Sequence, residues 1–265
     1  MLRSMYSGIS GMKNFQTKLD VIGNNIANVN TFGFKKGRVT FSDLYSQQIS
    51  GATGATGTRG GVNPRQVGLG SQLASIDTID TPGSTQTTGR PLDLAITGDG
   101  YFQVKDPGGN ILYTRAGNFY FDENSGDIVN SDGYYLVGTG GIGTGGALKI
   151  PADAESFSIG ADGTISFIPA GGGTANTSQK IELSNFSNPG GLTKVGGNLF
   201  EESDNSGTAT PMTNPKIVSG ALEMSNVDLS EEFTEMIVAQ RGFQANTKII
   251  TTSDEILQEL VNLKR

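Results

Sequence analysis

The sequence predicts an α+β fold, with a helix at each end of the chain and an all-β middle of short antiparallel strands. Three observations carry that expectation. Apolar residues recur in steps of three and four near the N-terminus and every seven residues near the C-terminus. Between them, short β-branched and aromatic runs alternate with Gly, Asp and Asn, which is hairpin chemistry. No helical pattern interrupts those runs, so a parallel βαβ sheet is not expected.

At the N-terminus, Leu2, Met5, Ile9, Met12, Phe15, Leu19, Ile22 and Ile26 trace one face of a helix. Gly8, Gly11 and Gly23 lie inside it, each costing about 1 kcal/mol relative to Ala, a cost that close helix–helix approach would offset. Asn28 and Asn30 are suited to ending the helix. Residues 31–90 read as a partly irregular connector. Within it, Phe41 to Ile49 is expected to form one short amphipathic helix, Gly51 to Gly61 is low-complexity and flexible, and Leu73 to Ile79 alternates like a strand. Residues 91–225 form the β-rich segment. Its expected strands include Tyr101–Lys105, Ile111–Arg115, Asn118–Phe121, Tyr134–Val137, Ala147–Ile150 and Thr164–Ile168. The last segment is one long helix, with Leu229, Met236, Phe243, Ile250 and Leu257 seven residues apart. Phe233, Gln240, Thr247, Asp254 and Val261 form a companion line, offset by four. Asp228 followed by Glu231 resembles a capping box, and Glu231, Glu232 and Glu235 suit the positive end of the helix dipole as Lys264 and Arg265 suit the negative one. Residues 1–30 and 226–265 are therefore expected to make one helical coiled-coil domain. Two paired helices bury only part of each apolar stripe, so these ends are expected to be poorly ordered in a free subunit and to order when neighbours supply the missing contacts.

Composition narrows the function. A net charge of −7 argues against a broad nucleic-acid footprint, which needs a basic face. The absence of Cys and His removes thiolate chemistry, the usual metal ligand and the commonest general base. Gly138, Gly140 and Gly143 satisfy G-x-G-x-x-G, but GTGGALKIPAD follows where a helix would have to begin. DENSGD at 122–127 fails the calcium-loop pattern, because Gly126 and Asp127 stand where an acid and a glycine are required. No enzyme, cofactor or metal site is expected. No run of about 18 apolar residues occurs, so no membrane insertion is expected, and the N-terminus lacks the apolar core of a cleavable signal. A rival reading is a secreted glycan-binding module with an aromatic platform from Tyr101, Phe102, Phe119, Tyr120, Tyr134 and Tyr135. Adjacent aromatics on a strand point to opposite faces, so at least one of each pair is expected in the core.

Two terminal signatures then become informative together. LDVIGNNIANVNTFGFKKGRVTF, from Leu19 to Phe41, and the stretch from Ser219 to Leu263 closely resemble the terminal signatures of bacterial flagellar rod and hook proteins. GRPLDLAITGDGYFQV and YTRAGNFYFDENSGDIVNSDGYYLVG resemble the shared middle of that family. The resemblance implies a self-polymerising structural subunit whose terminal helices pair as a coiled coil. SGISGM and MIVAQRGFQAN resemble a hook protein of the short kind, a flexible tubular joint that transmits motor torque to the filament; the alternative is the distal rod protein. It further implies export through the flagellar type III apparatus without a cleavable signal, and an extracellular location in the hook or basal body. The implied partners are copies of itself and other axial proteins: distal rod, hook cap and hook–filament junction. Subunit packing is expected from Met5, Ile9, Met12, Leu19, Ile22 and Ile26 against Leu229, Met236, Phe243, Ile250 and Leu257. Asn24, Asn25, Asn28, Gly33 and Phe34 match the family motif; the amides are expected to bond neighbouring backbone, and Gly33–Phe34 to form a turn with an aromatic anchor.

Overall fold

Apolar periodicity of 3.6 becomes two long helices, α1 over Leu2–Ala27 and α2 over Leu229–Asn262. Among the described residues between them there is no further α-helix, only strands, turns, two short 3-10 turns and irregular chain. The computed structural model describes residues 2–55, 57–123, 125–151, 153–169 and 173–263. Lys264 and Arg265, the Leu2 side chain, and Asn124 of the DENSGD loop lie outside the described residues. The chain clusters into two compact units. One takes the stretch up to Ala27, Gly37–Asp77 and the stretch from Asp228 onward; the other takes Asn28–Lys36 and Thr78–Val227.

The helical unit also holds two ribbons, Gly37–Asp43 with Ser71–Thr78 and Gln47–Ser50 with Arg65–Val67. The short helix expected from Phe41 to Ile49 is not formed; strands Gly37–Asp43 and Gln47–Ser50 occupy that stretch. Nine residues are too few to hold a helix by themselves, and the period-two alternation of Val39 and Phe41 with Thr40 and Ser42 finds a strand partner in Ser71–Thr78.

The β unit is built on antiparallel pairs throughout. Tyr101–Lys105 and Ile111–Thr114 form a hairpin at the centre of the larger sheet, with Phe102 opposite Thr114 and Lys105 opposite Ile111. Leu199–Glu201 and then Thr193–Gly196 extend it on one side, and Tyr135–Leu136, Ile128–Val129 and Tyr120–Phe121 on the other. A second sheet runs Gly138–Thr139, Asn176–Ile181, Thr164–Ile168, Ser156–Ile159. Ala147–Ile150, expected as a strand, makes only isolated bridges, Ala147 to Val137 and Lys149 to Asp127. The glycine-rich stretch before it turns at Gly145 and Gly146, where φ is positive, and leaves too little straight chain for a ladder.

Strand alternation sorts the aromatics. Phe102 enters the main core with Phe119, Ile128, Leu136, Ile165 and Leu183. Its neighbour Tyr101 turns to a second cluster with Tyr113, Phe186 and Phe200, packed edge to face at centroid distances of 4.8 to 5.8 Å. Tyr101, Phe102 and Phe119 are thus consumed by packing, while Tyr120 stays exposed and Tyr134 and Tyr135 are half-buried.

Candidate assembly surface

Helix α2 begins where the Asp228 carboxylate accepts the Ser230 and Glu231 N–H groups at 2.8 and 3.4 Å. Glu231 and Glu232 then sit in the first turn, where the helix dipole favours negative charge. The two helices run antiparallel: Gly8 lies by Ile250, Gly11 by Asn246, Phe15 by Gly242, and Lys18 pairs with Glu235. The approach is close. A Cβ on Gly11 would stand 2.9 Å from Asn246 Oδ1, and one on Gly242 would stand 2.5 Å from the Phe15 ring. Gly23, by contrast, faces open space.

The line at the centre of this contact is Glu232, Ala239, Asn246 and Ser253, spaced by seven; the first, second and fourth are buried, and Asn246 is half-buried. Of the expected packing residues, Met236, Phe243, Ile250 and Leu257 are half-buried along its flank, and Leu229 is exposed. On α1, Ile22 is buried, Met5, Met12, Leu19 and Ile26 are half-buried, and Ile9 is exposed. The companion line from Phe233 to Val261 faces solvent, one residue away from the line that is buried. A search for small residues at heptad spacing would have found Ala239, Asn246 and Ser253; a search for large apolar ones passes over them. Large apolar side chains remain outside among polar ones: Phe233 is 50% exposed, Ile237 59% and Leu260 48%, with Val238, Ile249 and Ile256 also exposed.

The family-motif residues fall in two places. Asn25 is buried, and its amide reads one peptide completely, accepting the Gly37 N–H and donating to the Gly37 carbonyl, both at 2.9 Å. It also donates to Glu232 at 3.2 Å, so α1, α2 and the start of the first strand meet at one side chain. Asn24 is exposed on α1. In the β unit, Asn28 accepts the Thr31 hydroxyl and its carbonyl accepts the Thr31 N–H, closing the turn after α1. Gly33 follows at φ +69, where its N–H donates to the Glu223 carbonyl at 2.8 Å. A Cβ there would stand 2.6 Å from the Arg115–Ala116 backbone, so both φ and space require glycine. Phe34 is half-buried.

Two residues outside those expectations complete this knot. Lys35, buried, donates to Glu223 at 2.7 Å and to the Thr81 carbonyl at 2.8 Å. Glu223, also buried, further accepts Gly83 N–H at 3.0 Å and Arg115 at 3.4 Å. Burial, and then the Arg115 charge, push the Lys35 ammonium below the ordinary lysine range, while Glu223 and Asp80 act the other way. Asn226 stitches the same strands, accepting Lys36 N–H and donating to the Ile79 carbonyl. The N-terminal stretch 33–36 and the C-terminal stretch 223–226 are therefore registered by side chains from both. Among the described residues no group of three or more potential metal ligands occurs, and no helix is long and apolar enough to cross a membrane.

Three family descriptions match this chain. Residues 5–35 match "Flagella basal body rod protein", 95–167 match "Flagellar hook protein FlgE/F/G D1 domain", and 218–263 match "Flagellar basal body rod FlgEFG protein C-terminal". A flagellar basal-body rod protein FlgG from Bacillus subtilis (strain 168) is 62% identical over 271 aligned positions, covering all of both chains. The FlgG of Caulobacter vibrioides is 39% identical over 99% of this chain and all of its own. The flagellar hook protein FlgE of Borreliella burgdorferi is 33% identical and covers all of both chains. That last alignment extends to 443 positions, so the hook protein carries long stretches without a counterpart here.

Proposed function

Because the chain belongs to the flagellar rod and hook axial protein family, whose members are structural components of the basal body and hook and not enzymes, we propose that it is a subunit of the distal rod. Flagellar axial proteins assemble into a polymeric rod and hook with other flagellar components. The observation that carries the rod reading is the full-length match to FlgG at 62% identity and nearly equal length. The hook reading drawn from SGISGM and MIVAQRGFQAN gives way, since the hook relatives are more distant and much longer. Short terminal motifs are shared by rod and hook proteins, and so discriminate poorly between them.

In this reading the helical unit is the polymerising domain, with α1 and α2 as a coiled coil. The exposed apolar face of α2 supplies contacts to further copies, along with the flank Met236, Phe243, Ile250 and Leu257 and, on α1, Met5, Ile9, Met12, Leu19, Ile22 and Ile26. The subunit leaves the cell through the flagellar type III apparatus and joins its own copies and neighbouring axial proteins. Electron microscopy of the concentrated full chain tests the assignment. Straight, rigid rods are expected; curved, flexible tubes would return the protein to the hook, and no polymer even with seeds would remove the assembly role.

A further inference from the structure

The edge strand Thr193–Gly196 ends the larger sheet and is exposed along its length. A lysine on such an edge ordinarily projects outward and blocks strand pairing. Lys194 instead folds back: its ammonium donates to the Lys35 carbonyl at 3.4 Å and lies 5.4 Å from the centre of the Phe34 ring. Beneath it is a cavity of about 210 Å³, walled by Phe34, Leu199 and Phe200 and by the backbone of Gly196, Gly197 and Asn198. That backbone is held open by three successive positive φ values, 111, 60 and 59, the last on a non-glycine residue. Asn198 is fastened there by its amide, which donates to the Phe32 carbonyl at 3.1 Å.

Among the described residues no carboxylate pairs with Lys194, although the chain carries a net charge of −7. Partial burial of its ammonium against Phe34 lowers its pKa from the ordinary lysine range. The shape is that of a socket with an apolar wall for a short aliphatic stem and the Lys194 ammonium for its end; Lys35 lines it too, but its ammonium is taken by Glu223.

We propose that this cavity is a socket for an Asp or Glu side chain of a second copy of the chain, with Lys194 pairing the incoming carboxylate. The proposal rests on the polymeric reading above and adds a specific contact to it. The stem would lie against Phe34 and Leu199. Gly33 would then serve the assembly as well as the fold, because its tight packing on Arg115 places Phe34 on the cavity wall. The surplus of acidic side chains makes a second copy a sufficient donor.

Zero-length carbodiimide cross-linking of the full chain tests this, since it joins a lysine to a carboxylate only when the two are in contact. Light and isotopically heavy subunits are mixed, polymerised and treated, and a dilute unpolymerised sample is treated alongside. Mass spectrometry should find Lys194 joined to an acidic residue of a differently labelled copy in the polymer, and no Lys194 cross-link in the dilute chain. Lys194→Gln should raise the critical concentration for polymerisation about fivefold, the scale of one partly exposed ion pair, and Lys194→Arg should restore most of it. A polymer in which Lys194 stays uncross-linked and open to acetylation would overturn the socket alone. A Lys194 cross-link equally strong in the dilute chain would mean an intrachain partner and overturn it too. Failure of the unmodified chain to polymerise at all would overturn the assembly reading together with the socket.

Discussion

The β unit closes its own interior, and the helical unit does not. In the first, Phe102, Phe119, Ile128, Leu136 and Ile165 are inaccessible to solvent, and even the charged Lys35, Arg115 and Glu223 are enclosed with partners. In the second, the line between the helices is Glu232, Ala239, Asn246 and Ser253, while Phe233, Ile237, Val238 and Leu260 stand in solvent. Small residues let the backbones approach, but they bury little apolar area, and burial is worth about 25 cal/mol per Å². Of the large side chains on α2, Phe233, Ile237, Val238 and Leu260 are exposed, and Met236, Phe243, Ile250 and Leu257 are only half-buried. The difference teaches that one unit buries its apolar side chains by itself, whereas the other leaves apolar faces open, which the proposed assembly would cover with neighbouring copies.

Several substitutions would break or sharpen that contrast. The largest effect is expected in the closed unit. Glu223→Ala leaves Lys35 and Arg115 buried without their shared carboxylate and should cost about 3–5 kcal/mol, seen in urea unfolding followed by tyrosine fluorescence; an unchanged midpoint would mean that the cluster is not enclosed. In the open unit, Gly242→Leu meets the Phe15 ring and should cost about 1–3 kcal/mol, measured as a lower urea concentration for depolymerisation.

A pH effect separates the units further. Burial first, and then the Asp80 carboxylate that accepts its hydroxyl proton at 2.7 Å, raise the pKa of Tyr101 above the ordinary 10.0. Its contribution to stability is therefore complete below pH 10.0 and is lost as pH rises further. Near that pH, ultraviolet absorbance should count fewer phenolates in the native chain than in the urea-unfolded one, and Tyr101→Phe should narrow the gap. The smallest effect on the free chain is expected from Phe233→Ser with Ile237→Ser. Its unfolding midpoint should move by no more than about 0.5 kcal/mol, while sedimentation should show polymerisation lost; intact polymerisation would take that face out of the assembly.

Periodicity made the two helices and most strands legible, because Leu229, Met236 and Phe243 or Tyr101–Lys105 repeat at the spacing their backbones impose. It failed where size and period diverge. Large apolar residues draw attention to the line from Leu229 through Met236 and Phe243 to Leu257, whereas the close contact uses Ala239 and Asn246, three positions on from Met236 and Phe243. Strand Ser156–Ile159 and edge strand Thr193–Gly196 were hard to see because glycine and serine dilute their patterns. The Phe41–Ile49 stretch looked helical over too short a window to compete with a long-range strand partner. Lys35 and Glu223 were invisible as a pair, since nothing local in either sequence names a partner 188 residues away.

Hydrogen exchange of the full chain, as a dilute monomer and as polymer, tests the contrast between the units most directly. Amides of α1 and α2 should exchange quickly in the monomer and become strongly protected in the polymer, while those of Tyr101–Lys105 and Thr164–Ile168 should be protected alike in both. Helices already as protected in the dilute monomer as those strands, with no gain on polymerisation, would contradict the account.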